Sequence, residues 1–195
     1  MITATVKNNM NDNHEPHAIN PTKFVLWLII VASIMLFAAY TSAYLVRRGE
    51  GNWVMFDLPA VFAFTTGIIA LSSITMQWAL ISAKKDNQGN LKIALYLTLG
   101  LGIAFMAGQW IGWQQLVSQG IHLVGNPSES FVYVISGLHL FHMLGGIAFL
   151  IAVLIKTFQL KITAKNFLIV NLCSTFWHFL GAMWIYLYFF LLLNR

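Results

Sequence analysis

"SGLHLFHMLGGIAFLIAVL", residues 136–154, runs for nineteen residues without one formal charge. With the apolar residues before it, it forms a run over 131–155. That is long enough to cross the roughly 30 Å hydrocarbon core of a bilayer as a helix. Two histidines, His139 and His142, interrupt it three residues apart, a spacing that puts both on about one face. Ionisable side chains at this depth are costly and mark a partner or a function.

Working outward, four further runs have the same character, over 24–46, 59–82, 91–117 and 167–193. The predicted fold is all-α: a polytopic membrane helix bundle with five transmembrane helices. Pro59 sits at the start of the second, where its missing N–H does no harm. The connections "RRGEGNWVMFD", "AKKDNQG", "SQGIHLVGNPSE" and "KTFQLKITAKN" are short and polar, and none is long enough for a separate domain. Residues 1–22 read as a disordered polar arm without the apolar core of a signal peptide, and 23–195 as the membrane domain.

The composition agrees. Of 195 residues 58% are hydrophobic and 9% charged, against about 25% charged in a soluble domain. The net charge of +5 comes from lysines scattered through short loops. This argues for orientation in a membrane and against nucleic-acid binding. Lys7, Lys23, Lys84, Lys85, Lys92, Lys156, Lys161 and Lys165 fall on one side of a five-span topology, and Arg47, Arg48 and Arg195 on the other. The positive-inside rule then predicts a cytoplasmic N-terminus and an external C-terminus.

Candidate chemistry is sparse. No Asp or Glu lies inside any span, and there is no HExxH, CxxC or phosphate-cradling loop. Cys173 lies in an apolar run and reads as a packing residue. At depth only His139, His142 and His178 remain, with Trp177 beside the last. Three readings are open for them: structural anchors to helices, waters or lipid headgroups; a haem held between His142 and His178; or a metal held by helices four and five. His142 and His178 lie about 11 and 15 residues from the same side, so their depths differ by roughly 6 Å at about 1.5 Å per residue. In the third span Gly100, Ala104, Gly108 and Gly112 recur every four residues, a stripe on which another helix can pack closely. In the second, Thr65, Thr66, Ser72, Ser73 and Thr75 can bond neighbouring helices or their own backbone.

At this point the motifs become specific. "SGLHLFHMLGGIAFLI" followed by "CSTFWHFLGAMWIYLYFFL" resembles the last two helices of subunit III of the haem–copper oxidases. That family has Gly-x-His-x-x-His, then Trp-His-Phe six residues before a Trp. Here these match Gly137, His139 and His142, then Trp177, His178, Phe179 and Trp184. "LPAVFAFTTGIIALSSITMQWA" and "GQWIGWQQL" look like two earlier helices, so the resemblance covers about residues 24–193.

The resemblance implies the short five-helix bacterial form. It implies a non-catalytic subunit of an aerobic terminal oxidase in the bacterial plasma (inner) membrane. Such a complex reduces oxygen to water and moves protons, with cytochrome c as electron donor and quinol as the alternative. Haem and copper are then expected on partner subunits and no cofactor or metal on this chain. The implied partners are oxidase subunits I and II, phospholipid and other respiratory complexes. His139, His142, Trp177 and His178 become a lipid or structural polar site, and a His-ligated haem electron carrier is the rival reading. The chain departs from the family where acids are common: Ser33 or Ile34, Gly112, Asn171 and Gly181 stand in their places.

Overall fold

The computed structural model describes residues 20–160, 162–163 and 166–194; the expected arm over 1–22 lies almost wholly outside them. Five helices follow one another: α1 Pro21–Gly49, α2 Ala60–Lys84, α3 Gln88–Ser118, α4 Pro127–Phe158 and α5 Leu168–Asn194. Each is long and apolar enough to cross a membrane, and no strand occurs among the described residues. The predicted fold class therefore holds.

The helix ends follow from capping chemistry. Asn20 and Asn126 each precede a proline, and their side chains accept from Thr22 N and Ser128 N at 3.2 and 3.0 Å. Proline at the first helical position gives up an N–H that has no helical partner there. This cap starts α4 at Pro127, a turn before the apolar run begins. Asn87 caps α3 by accepting from Asn90 N at 3.1 Å. After α1 the backbone turns left-handed at Gly51 and Asn52, which stops the helix. Pro59 is the cap residue of α2, with Ala60 the first helical residue.

Four helices close a ring: α2 packs on α3, α3 on α4, α4 on α5 and α5 on α2. α1 stands outside it, against α4 and α5. The tightest pair is the α2–α3 hairpin. The ring encloses Ile69, Met76, Phe105, Met143, Trp177 and Trp184, all buried. Most of the large exposed apolar side chains lie on the outer faces of the helices, the inverse of a water-soluble bundle and the pattern lipid requires.

One end of the bundle is tied by the arginine side. Tyr44 Oη donates to Asn194 O at 3.0 Å, Arg48 Nη1 reaches Asn194 Oδ1 at 3.3 Å, and Asn126 Nδ2 donates to Asn52 O at 2.7 Å. At the lysine end Gln88 Nε2 donates to Ile162 O at 2.6 Å, and Lys84 and Lys92 sit over the rings of Phe167 and Phe158.

Candidate functional site

The histidine-bearing motifs place their four side chains in four surroundings, not in one pocket. His139 points to the centre of the bundle and is fully buried. It lies among Phe37, Phe105 and Trp184, with centroids 6.3, 6.0 and 5.1 Å away. Neither of its ring nitrogens has a hydrogen-bond partner among the described residues.

His142 turns toward α1. Its ring lies 5.4 Å from that of Phe37, and Nδ1 is 2.8 Å from Leu138 O. A carbonyl only accepts, so Nδ1 carries the proton and the neutral ring leaves Nε2 as an acceptor. Three residues advance a helix by about 300°. The resulting 60° offset is what sends His139 to the centre and His142 to the α1 groove.

Trp177 points inward. Its Nε1 donates to Ser72 Oγ at 2.9 Å, and its six-membered ring fills the space left by Gly102, where a Cβ would stand 2.8 Å from Cη2. His178 is the next residue, rotated by about 100°, and faces the outer α2/α5 groove. Its Nε2–H donates to Gln77 Oε1 at 3.3 Å. His142 and His178 thus open on different sides of the bundle, with α1 and α5 between them. They do not face one another across a gap.

The indole groups show why α2 is rich in hydroxyls. Trp177 donates to Ser72 and Trp184 Nε1 donates to Thr66 Oγ1 at 3.0 Å. Ser72 and Thr66 pass their own protons to Ile69 O and Phe62 O, at 3.1 and 2.7 Å. Trp113 Nε1 does the same through Ser136 Oγ, at 3.0 Å, to Val132 O. Each relay satisfies an indole N–H at a depth where an unpaired one would cost several kcal/mol. Gln109, which no motif in the sequence marks, donates from Nε2 to Thr65 Oγ1 at 2.9 Å across the α2–α3 contact.

The small-residue stripe of α3 divides. Gly108 sits against the methyl of Thr65 and Gly112 against the ring of Phe62, where a Cβ would be 3.0 Å from Cζ. Gly100 and Ala104 face outward, and nothing lies within 4 Å of a Cβ built on Gly100. A four-residue repeat gains about 40° per step, because 3.6 residues make a turn. Over three steps the stripe drifts by roughly 120°, from the α2 contact to the outer surface.

The places where the resemblance expects acids are filled by other groups. Ser33 is buried and donates to Ile29 O at 2.8 Å. At Gly112 the space belongs to Phe62, and at Gly181 a Cβ would stand 3.0 Å from Ser73 Oγ. Asn171 lies in the first turn of α5. Among the described residues no group of three His, Cys, Asp or Glu is arranged to hold a metal ion.

Grooves flank the outlying helix α1. Toward the arginine end, one of about 900 Å³ between α1 and α4 is lined by Tyr40, Arg47, Glu50, Ser130 and Phe131. Arg47 and Glu50 form an ion pair at 2.6 Å at its mouth. Toward the lysine end, one of about 680 Å³ is lined by Thr22, Ile29, Phe141, His142, Gly145 and Phe149.

Comparison with known proteins bears on this arrangement. The cytochrome c oxidase subunit III family model matches residues 3–194. A probable cytochrome c oxidase subunit 3 of Nocardia farcinica is 29% identical over 170 residues, 84% of this chain and 82% of that protein. Subunit 3 of a cytochrome bo(3) ubiquinol oxidase of Pseudomonas aeruginosa is 28% identical over 198 residues, 95% and 94% of the two. A probable quinol oxidase subunit 3 of Staphylococcus saprophyticus is 25% identical over 178 residues, 88% of each. The chain belongs to the cytochrome c oxidase subunit III family, and is an integral membrane subunit of a haem–copper oxidase complex.

Proposed function

We propose that this chain supports the oxygen-reducing subunit of a bacterial inner-membrane terminal oxidase through packing and bound phospholipid, and carries no redox group of its own. The observation that carries this reading is the pair of grooves between α1 and α4. Their walls are apolar along the helix axis. One mouth presents Arg47, whose Nη1 pairs with Glu50 and whose remaining guanidinium N–H groups suit a phosphate headgroup, and the other presents Thr22. Two long grooves end to end match two opposed acyl chains better than a compact ligand. The opening of His142 and His178 on different sides of the bundle speaks against a bis-histidine haem on this chain and supports the reading that partner subunits carry haem and copper.

Cytochrome c as donor is the first reading. Quinol is a specific second, because the ubiquinol oxidase relative aligns over 95% of this chain and the cytochrome c oxidase relative over 84%. Purification of the whole oxidase through a tag on this chain decides both points. Co-migrating subunits I and II, haem on those chains and retained phospholipid are expected. Oxygen consumption driven by reduced cytochrome c, and not by ubiquinol, is the result expected of the first reading. The converse preference establishes the second. A Soret band from this chain alone would overturn the accessory role.

A further inference from the structure

α5 presents a polar strip to the outside of the bundle, between α1 and α2. Thr175, His178, Ala182 and Tyr186 recur there at spacings of three and four, each partly or fully exposed. Gln77 of α2 is exposed beside His178 and bonded to it at 3.3 Å. This polarity lies at the wrong depth for headgroups. Gln77 is seven residues from Lys84 and His178 ten from Leu168, or about 10 and 15 Å along their helices. Helices of 25 and 27 residues overhang a 30 Å core by about 4–5 Å at each end. The pair therefore stands roughly 6–10 Å inside the hydrocarbon.

Its hydrogen-bonding capacity is not used up. With Nε2–H given to Gln77 Oε1, His178 Nδ1 is left as an acceptor, and the Gln77 amide N–H groups as donors. Neither has a partner among the described residues. The shape of the strip agrees with its chemistry. A groove of about 460 Å³ lies on the α2 side of α5, lined by Ser73, Gln77, Trp78 and His178, and one of about 370 Å³ on the α1 side, lined by Phe37, Phe179, Ala182 and Tyr186. Ala182 is exposed and lines the α1-side groove, one turn from His178. The outer face of α3 differs: its exposed hydrogen-bonding side chains Tyr96 and Trp110 stand toward the two ends, and the exposed residues between them, among them Leu97, Gly100, Ile103 and Ala104, carry none.

We infer that the outward strip of α5, with Gln77 of α2, is the face on which this subunit docks a transmembrane helix of another oxidase chain. The docked helix carries a hydrogen-bonding side chain at the level of Gln77 and His178. Acyl tails satisfy neither group, whereas a polar side chain on a partner helix satisfies both, which is how polar residues join helices in membranes. The inference rests on the chain's place as an oxidase subunit.

The test is photo-cross-linking in the intact oxidase, with benzoylphenylalanine in place of Ala182 and, separately, of Ile103. Co-purification of haem-bearing subunits with this chain is scored first, and its loss in the unmodified complex would count against the subunit role itself. In a complex that does co-purify, the Ala182 probe is expected to join this chain to another oxidase subunit. The Ile103 probe gives the lipid background. Adducts to lipid alone at Ala182 would overturn the docking face and leave the subunit role standing. As a second measurement, Gln77→Leu is expected to weaken retention of this chain on detergent washing about threefold, the worth of one average interhelical hydrogen bond. Retention equal to that of the unmodified complex, together with lipid-only adducts, would dispose of the inference.

Discussion

The rings of His139 and Trp184 lie 5.1 Å apart, centroid to centroid, inclined at 35°, at the centre of a bundle where His139 has no hydrogen-bond partner among the described residues. Phe105 completes the contact, edge-on to both rings. His139 therefore acts in this cage as an aromatic ring that carries two polar atoms. A buried polar group without a partner costs about 1–3 kcal/mol. His139→Phe removes that cost and adds little bulk. The thermal midpoint of the purified complex, followed by helical circular dichroism, should stay level or rise. A fall beyond the roughly 1–3 kcal/mol of overpacking would show that His139 holds a partner such as a buried water.

How much of this was legible beforehand depends on the physics involved. The five helices were, because a run of apolar residues long enough to cross lipid has few other ways to satisfy its backbone. Their ends shifted where a cap decided them, as at Asn126 and Pro127. The neighbours of each helix were not legible, since hydropathy fixes length and not direction. Hence the three-residue spacing of His139 and His142 implies one face, although a 60° offset sends one to the centre and the other to the α1 groove. The four-residue repeat from Gly100 to Gly112 implies a straight stripe for a similar reason. Trp177 and Trp184 were legible as motif residues, but their acceptors Ser72 and Thr66 lie more than a hundred residues away.

The two ends of the α3 stripe should respond oppositely to added bulk. Gly108→Leu drives a side chain into Thr65 and breaks the bond that Thr65 accepts from Gln109. Overpacking of this kind costs about 1–3 kcal/mol, so the α2–α3 hairpin should loosen and the complex melt earlier. A Cβ at Gly100 has no described residue within 4 Å, so Gly100→Leu should leave the midpoint unchanged. Equal midpoints for Gly108→Leu and the unmodified complex would show that α3 does not approach α2 through that glycine.

The groove at His142 predicts a slow effect. His142→Leu removes the acceptor Nε2 and leaves the apolar walls in place. Retained phospholipid, measured by mass spectrometry of the purified oxidase, should fall, and the working life of the enzyme should shorten over many turnovers. Initial turnover and haem absorbance should hardly change. Immediate loss of haem absorbance would restore the ligand reading of this histidine.

Orientation can be read with reporters. Lys84, Lys85, Lys92 and Lys156 cluster at one end of the bundle and Arg47 and Arg48 at the other, and positive charge favours the cytoplasmic side. A phosphatase fused to the C-terminus should be active, and one inserted after Lys85 inactive. The opposite pattern would invert the proposed topology.

Hydrophobic carbodiimides report on carboxyl groups in apolar surroundings, because such groups keep the proton the reagent needs. The described acids of this chain are Glu50, Asp57, Asp86 and Glu129. Glu50 and Asp57 lie in the α1–α2 connection, Asp86 lies between α2 and α3, and Glu129 lies in the first turn of α4. Glu129 is engaged there as well, its Oε2 accepting from His122 N at 3.3 Å. The interior positions that resemblance would give to acids hold Ser33, bonded to its own helix, and two glycines whose space Phe62 and Ser73 fill. No described carboxyl group stands at hydrocarbon depth. A hydrophobic carbodiimide should therefore leave this subunit unlabelled within its spans, even where it slows the whole oxidase, and the slowing should track adducts on another chain. Labelling confined to another chain would keep the proton path off the carboxylates of this subunit, as the proposed supporting role through packing and lipid requires. Mass spectrometry of the treated complex decides the point: a stoichiometric adduct on a spanning peptide of this chain would show that a protonated carboxyl group lies within the bundle, and the indirect role would fall with it.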